Sequence, residues 1–190
     1  MITQRFNTDP MWRNNWPPNY YMYGFFQLLE YLEANIDHTH TKLNKMIEIG
    51  SYMGESTMMF ASTGIFKEIH VIDPFEGTEK MNEEYGYTWD EVKKEFETNI
   101  RYFDNIILHQ DFSYNVVDEF EDSSFDFIYI DASHTYEDTK KDIELYLSKV
   151  KGIISGHDYH ESHSGVMKAV NEILGSPDVV FRDHTWVKKL

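Results

Sequence analysis

Cysteine is absent from the 190 residues, which excludes disulfides and every metal site built on thiolates. Its absence says little about compartment, because cytosolic and secreted proteins alike can do without it. Basic residues are scarce: 17 Lys and Arg stand against 33 Asp and Glu, for a formal net charge of -16 at pH 7. They form no stripe, so the electrostatic footprint of a nucleic-acid binder is missing. An anionic membrane surface would not attract such a chain either. No run is long and apolar enough to span a bilayer, and residues 1–10 lack the apolar core of a signal peptide. A cytoplasmic protein of one domain with a full-sized core is expected.

Aromatic residues, by contrast, make up 16% of the chain and gather at 12–26 and 75–89. Core and lid packing is the plain reading of these rings; a ring-lined substrate pocket is the sharper one. Residues 1–19 are broken by Pro10, Pro17 and Pro18 and read as irregular. A helix is predicted over 21–34, with Phe25, Leu28, Leu29 and Leu32 on one face. His38 and His40 fall in a polar link and read as solvated. Strands and helices then alternate: strands at 45–49, 68–72, 105–109, 125–130 and 152–155, helices at 55–62, 89–101, 114–120, 136–149 and 166–174. Segments 179–182 and 185–188 are expected to close the chain as a hairpin. Such alternation implies a mainly parallel sheet with helices on both faces.

The segment Glu48-Ile49-Gly50-Ser51-Tyr52-Met53-Gly54-Glu55-Ser56 joins the first of these strands to the next helix. Glycines let a backbone approach a ligand, and a helix N-terminus offers free N–H groups. The spacing is E-x-G-x-x-x-G, whereas a dinucleotide turn reads G-x-G-x-x-G. Two acids and no base lie in it, which disfavours phosphate. A ligand with positive charge and ribose hydroxyls suits it, and S-adenosylmethionine (SAM), with its sulfonium and ammonium, is such a ligand.

In open α/β sheets the ligand lies beyond the carboxyl ends of the strands. Here those ends carry Glu48, Asp73, Asp111, Asp131 and Asp158, a crowding of carboxylates that costs free energy unless cations or donors meet it. Asp73, followed by Pro74, stands about twenty residues past the turn, where a ribose-binding acid belongs. Asp111 is placed to accept from an adenine amino group, with Phe112 covering the ring. Asp131 and Asp158 end neighbouring strands, spaced about 4.8 Å apart. Two carboxylates with open positions suit Mg²⁺. His157, His160 and Glu161 are further candidate ligands, and imidazole shifts the preference toward Mn²⁺, Fe²⁺ or Zn²⁺. The alternative is a metal-free site in which Asp131 orients a histidine or the ligand's ammonium. His134, three residues past Asp131, is the candidate general base. His163 and His184 read as surface or helix-start residues.

These residues resemble class I SAM-dependent methyltransferases, in particular the branch related to macrocin O-methyltransferase and other antibiotic-sugar O-methyltransferases. The resemblance rests on EIGSYMGEST (48–57), HVIDPFEG (70–77), FDFIYIDASHTYEDTKKDIELYLSKVKGIISGHDY (125–159) and GVMKAVNEIL (165–174). It implies an α/β fold, a Rossmann-like three-layer sandwich whose seven-stranded sheet is mostly parallel with an antiparallel last strand. Residues 45–190 would form the SAM-binding domain, with 1–44 part of the same domain and a lid over the substrate. The resemblance implies cofactor contacts from Glu48, Gly50, Ser51, Tyr52, Gly54, Ser56, Asp73, Pro74, Asp111, Phe112 and Asp131. It implies a catalytic pair, His134 and Asp131, and Mg²⁺ or Mn²⁺ on Asp131, His157 and Asp158. The metal-dependent members carry two acids where this chain has His157-Asp158. The expected reaction is O-methylation of a hydroxyl on a sugar or other small molecule. No nucleic acid or membrane partner is expected, and a homo-oligomer stays open. A SAM-binding homologue without methyl transfer, such as a hydroxylase-associated protein or a binding module, and a nicotinamide-dependent oxidoreductase are the alternatives.

Overall fold

A computed structural model describes residues 20–36, 44–77 and 86–190. The expectations for 1–19, for His38 and His40, and for the middle of the aromatic insert at 78–85 lie outside these residues.

The elements are α1 (Tyr20–Asn35), β1 (Lys45–Ile49), α2 (Glu55–Thr63), β2 (Glu68–Ile72), α3 (Trp89–Ile100), β3 (Ile106–His109), α4 (Ser113–Val116), β4 (Phe125–Ile130), α5 (Tyr136–Tyr146), β5 (Val150–Gly156), α6 (Ser164–Leu174), β6 (Val179–Val180) and β7 (Trp186–Lys189). Short 3-10 turns follow α4 (Val117–Glu119) and precede α6 (Glu161–His163). The seven strands form one sheet in the order β3-β2-β1-β4-β5-β7-β6. Strands β1 to β5 run parallel, and β7 pairs antiparallel with both β5 and β6. The sheet is therefore the one expected, with the last strand reversed.

Alternation along the strands sorts side chains onto two buried faces. Met46, Val71, Phe127 and Tyr129 face one core, together with Leu28, Leu29 and Leu32 of α1 and Phe60 of α2. Ile47, Ile49, Ile128 and Ile154 face the other, with Ile143 and Tyr146 of α5 and Val170 of α6. Phe60 is the hub of the first core, with the rings of Phe25, Phe66, Phe127 and Tyr129 all packed against it.

Local chemistry sets the helix ends. Gly64, at φ 72°, stops α2 and returns its N–H to the Ala61 carbonyl. Thr88 and Glu91 form a reciprocal cap at the start of α3. Thr135 caps α5 by accepting from the Asp138 amide at 3.1 Å. Several boundaries differ from expectation by a few residues. Helix α5 ends at Tyr146, not 149, and β5 begins at Val150, not 152, although Val150 also falls in phase with the apolar face of the helix. Its side chain is buried in either setting, and helical phase alone could not separate the two. The closing hairpin has only Val179–Val180 as its first strand, because Asp183 turns the chain early.

Candidate functional site

The turn after β1 is held from three sides. Gly50 and Gly54 have φ of 81° and 79°, and Tyr52 between them also lies in the left-handed region at 48°, so the turn is compact and strained at a residue with a side chain. A Cβ on Gly50 would overlap the Asp131 carbonyl, and one on Gly54 would come within 2.7 Å of the Phe96 ring. Asn99 of α3 donates to the Met53 carbonyl at 2.9 Å. The turn thus abuts the end of β4, whose Asp131 amide donates to the Ile49 carbonyl at 2.8 Å.

Asp73 binds this turn directly. Its Oδ2 accepts from the Ser51 and Tyr52 amides at 2.8 and 2.9 Å and from the Ser51 hydroxyl at 3.2 Å, and its Oδ1 accepts from the Phe75 amide at 2.8 Å. The carboxylate expected to hold a ribose therefore also fixes the loop that would cradle the rest of the ligand. Pro74 follows it, half-buried.

Glu48, expected among the cofactor contacts, is fully buried. Its two carboxylate oxygens accept from the hydroxyls of Ser56 and Thr57, so Glu48 and Ser56 tie β1 to the first turn of α2. Burial pushes the Glu48 carboxyl up to about 8, against the hydroxyls that favour its charge. Asp111 is exposed and accepts from the Phe112 amide and from Asn115, both at 2.7 Å. Phe112 stacks on Tyr114 with ring centroids 5.3 Å apart, leaving one aromatic face toward solvent at the end of β3.

The ends of β4 and β5 carry the second half of the site. Asp158, at φ 62°, sits among three imidazoles. His134 Nε2 donates to its Oδ2 at 2.9 Å, and the Nδ1 atoms of His157 and His163 lie 3.2 and 3.4 Å from its Oδ1. Burial would raise the Asp158 carboxyl, but the bonds from His134 and His157 hold it well below the ordinary range. Burial raises Asp131, with repulsion from Asp158 adding to it. Burial also works against a charged His157, yet Asp131 and Asp158 outweigh it and push the imidazole up to about 9. The hydrogen bond to Asp158 raises His134. Asp131, His157 and Asp158 offer ligand atoms within 4.8 Å of one another. Two carboxylates and one imidazole form a mixed oxygen and nitrogen donor set, and these residues fit a divalent ion such as Mn²⁺ more readily than a purely oxygen-ligated one.

Sequence reasoning missed two residues here. His163, read as a surface residue, packs its ring against His134 at 4.7 Å between centroids. Asp183 is buried under α1, where it accepts from the Thr185 amide at 3.0 Å. Burial raises its carboxyl and also raises the hydroxyl of Tyr129 on β4. Only the GHDY segment hinted at this density, because the partners come from separate elements.

A second group of ionisable residues gathers around β2. Lys45, Glu68, His70, Glu119 and Phe120 line a cleft of about 290 Å³. Glu68 pairs with Lys45 at 2.6 Å and with His70 at 2.7 Å, and His70 meets His109 at 2.9 Å between ring nitrogens. Phe120 and Phe125 cover His70 edge-on.

With this geometry in view, the comparisons with known proteins are specific. The family described as "Methyltransferase domain" matches residues 47–159, more than half of the chain, from the middle of β1 to the turn after β5. The chain belongs to the methyltransferase-domain family. It is thus an enzyme whose methyl donor is SAM. Among curated proteins, none matches the sequence. Solved structures share the fold. CalS11, a TDP-rhamnose 3'-O-methyltransferase of calicheamicin biosynthesis, superimposes with a TM-score of 0.61 at 14% identity, covering 99% of this chain and 91% of its own. A putative caffeoyl-CoA O-methyltransferase from Staphylococcus aureus gives 0.58 at 15% identity, over 87% and 81% of the two chains. TomG from Streptomyces achromogenes, an O-methyltransferase of tomaymycin synthesis solved with SAM, gives 0.58 at 11% identity, over 87% and 77%. Among the described residues no helix is long and apolar enough to cross a membrane.

Proposed function

We propose that this methyltransferase acts on a hydroxyl of a small molecule, a sugar or a similar metabolite, and that the glycine turn and the His134–Asp158 pair divide the work. The observation that carries this reading is the His134–Asp158 bond of 2.9 Å on the wall next to the turn. His134 is half exposed while Asp158 is mostly buried, which is the arrangement of a base facing an acceptor and oriented from behind. The names of structural neighbours, O-methyltransferases of sugars and small molecules, support an oxygen acceptor.

SAM supplies an electrophilic methyl group and leaves as a neutral thioether. Ser51, Tyr52 and Gly54 would present backbone to it, Asp73 would accept its ribose hydroxyls, and Asp111 and Phe112 would flank its adenine. Asp131 faces its positive end. With Nε2–H given to Asp158, His134 keeps the lone pair on Nδ1, and that nitrogen takes the acceptor's proton as the oxygen bonds to the methyl carbon. Holding oxygen, carbon and sulfur in line supplies most of the acceleration, and the base adds roughly 10²–10⁴. Asp131, His157 and Asp158 would hold a divalent ion, Mg²⁺ or Mn²⁺, whose charge lowers the pKa of a hydroxyl beside it.

The test is transfer of labelled methyl from SAM to a panel of hydroxylated sugars and phenols, with and without EDTA. Labelled ether product with one S-adenosylhomocysteine per turnover supports the reading. Label that appears only on nitrogen or carbon acceptors rejects it.

A further inference from the structure

His134, Asp158 and His163 are brought together from three places: the loop after β4, the end of β5 and the 3-10 turn before α6. Each offers one ligand atom, and the three atoms lie within 4.8 Å of one another. The donors of a tetrahedral zinc ion stand roughly 3.3 Å apart, given bonds of about 2.0–2.1 Å. The two nitrogens already lie 2.9 and 3.4 Å from the Asp158 oxygens, so side-chain rotation alone brings them into range. Asp158 forms the floor at 14% side-chain exposure, while His134 and His163 form the mouth at 49% and 34%. An ion there would keep positions open for water. Two imidazoles and one carboxylate select borderline ions over Mg²⁺.

We propose that these three residues form a second cation site, for zinc or a similar borderline divalent ion, and that filling it switches off the base. The site shares only Asp158 with Asp131 and His157, so the two sites compete for one carboxylate. The switch follows from imidazole chemistry. A neutral ring carries one N–H, and an ion on Nε2 of His134 displaces the proton given to Asp158. That single proton moves to Nδ1, the nitrogen that must be bare to accept one from a substrate. The inhibitory consequence rests on the proposed role of His134; the ion site does not.

The experiment is a titration of Co²⁺, a visible-absorbing stand-in for Zn²⁺, into protein without an affinity tag, followed by displacement with Zn²⁺. Wild type and Asp131→Asn should bind one ion with a shared absorption band, while His163→Ala and His163→Asn lose affinity at least about tenfold. The melting temperatures of both His163 variants confirm that they are folded. Zn²⁺ should inhibit methyl transfer by wild type and spare the His163 variants, whose turnover without Zn²⁺ is unchanged. Equal Co²⁺ affinity in wild type and both His163 variants, or no binding by wild type, overturns the site. Co²⁺ binding that depends on His163 in a protein with no O-methyl transfer leaves the site standing and rejects the proposed reaction instead.

Discussion

Lys45 and Glu68 at the starts of β1 and β2, His70 in the middle of β2 and His109 at the end of β3 form a chain of contacts of 2.6 to 2.9 Å, roofed by Phe120 and Phe125. Past the C-terminal ends of β4 and β5, His134, His157 and His163 surround Asp158, with no aromatic roof but their own rings among the described residues. Both groups set imidazoles against a carboxylate. In the first group a lysine and an imidazole already meet Glu68, and aromatic packing holds the rings. In the second, an acid in a left-handed backbone conformation holds several imidazoles, two of them toward solvent, beside a turn that is itself strained. Ionisable residues alone do not mark a site. Backbone strain, open coordination and a place at the carboxyl edge of a parallel sheet do so together.

The contrast is sharpest at His134. Replacing it with alanine should cut turnover by 10²–10⁴, about 3–5 kcal/mol of barrier, with SAM affinity and melting temperature almost unchanged. Single-turnover kinetics beside calorimetry checks this, and a large loss of SAM binding would reject the assignment. Glu48 comes next. Its folded-state value near 8 exceeds the ordinary 4.5, so the unfolded chain releases this proton first as pH rises. Glu48 therefore costs stability progressively between pH 4.5 and 8, by up to roughly 3–5 kcal/mol. Glu48→Gln should flatten that slope in denaturant melts of the cofactor-free protein; an identical slope in both proteins counts against the burial argument. Asp73→Ala removes the acceptor for three amides and a hydroxyl, and should weaken SAM at least about thirtyfold, near 2 kcal/mol, without altering any metal requirement. His70→Ala, in the other group, should lower stability by only about 1 kcal/mol and leave turnover intact. A His70 variant that folds but does not turn over would erase the distinction between the two groups.

Much of this was legible in the sequence because it is local. Strand and helix alternation, the glycine turn and an acid after each inner strand are patterns within a few residues, and they located Asp73, Asp131, His134 and Asp158 at one edge. The reversal of β7 came from family resemblance, since hairpin signals do not say which strand a hairpin joins. Several roles were not legible. Glu48 looked like a rim residue, yet strand alternation carries it into the face under α1, where Ser56 and Thr57 claim both oxygens. His163 lies only five residues past Asp158, but a 3-10 turn folds it back, and no periodicity announces such a turn. Asp183 depends on α1 closing over it, a contact between the two ends of the chain.

On the proposed reading the rim built by the Gly50–Gly54 turn and Asp73 binds SAM, while His134, oriented by Asp158, acts on the acceptor. Isothermal titration of SAM into wild type, His134→Ala and Asp73→Ala tests it most directly. One-to-one binding is expected, equal in the first two and at least about thirtyfold weaker in the third. Equal affinity in all three, or no binding by wild type, would contradict it.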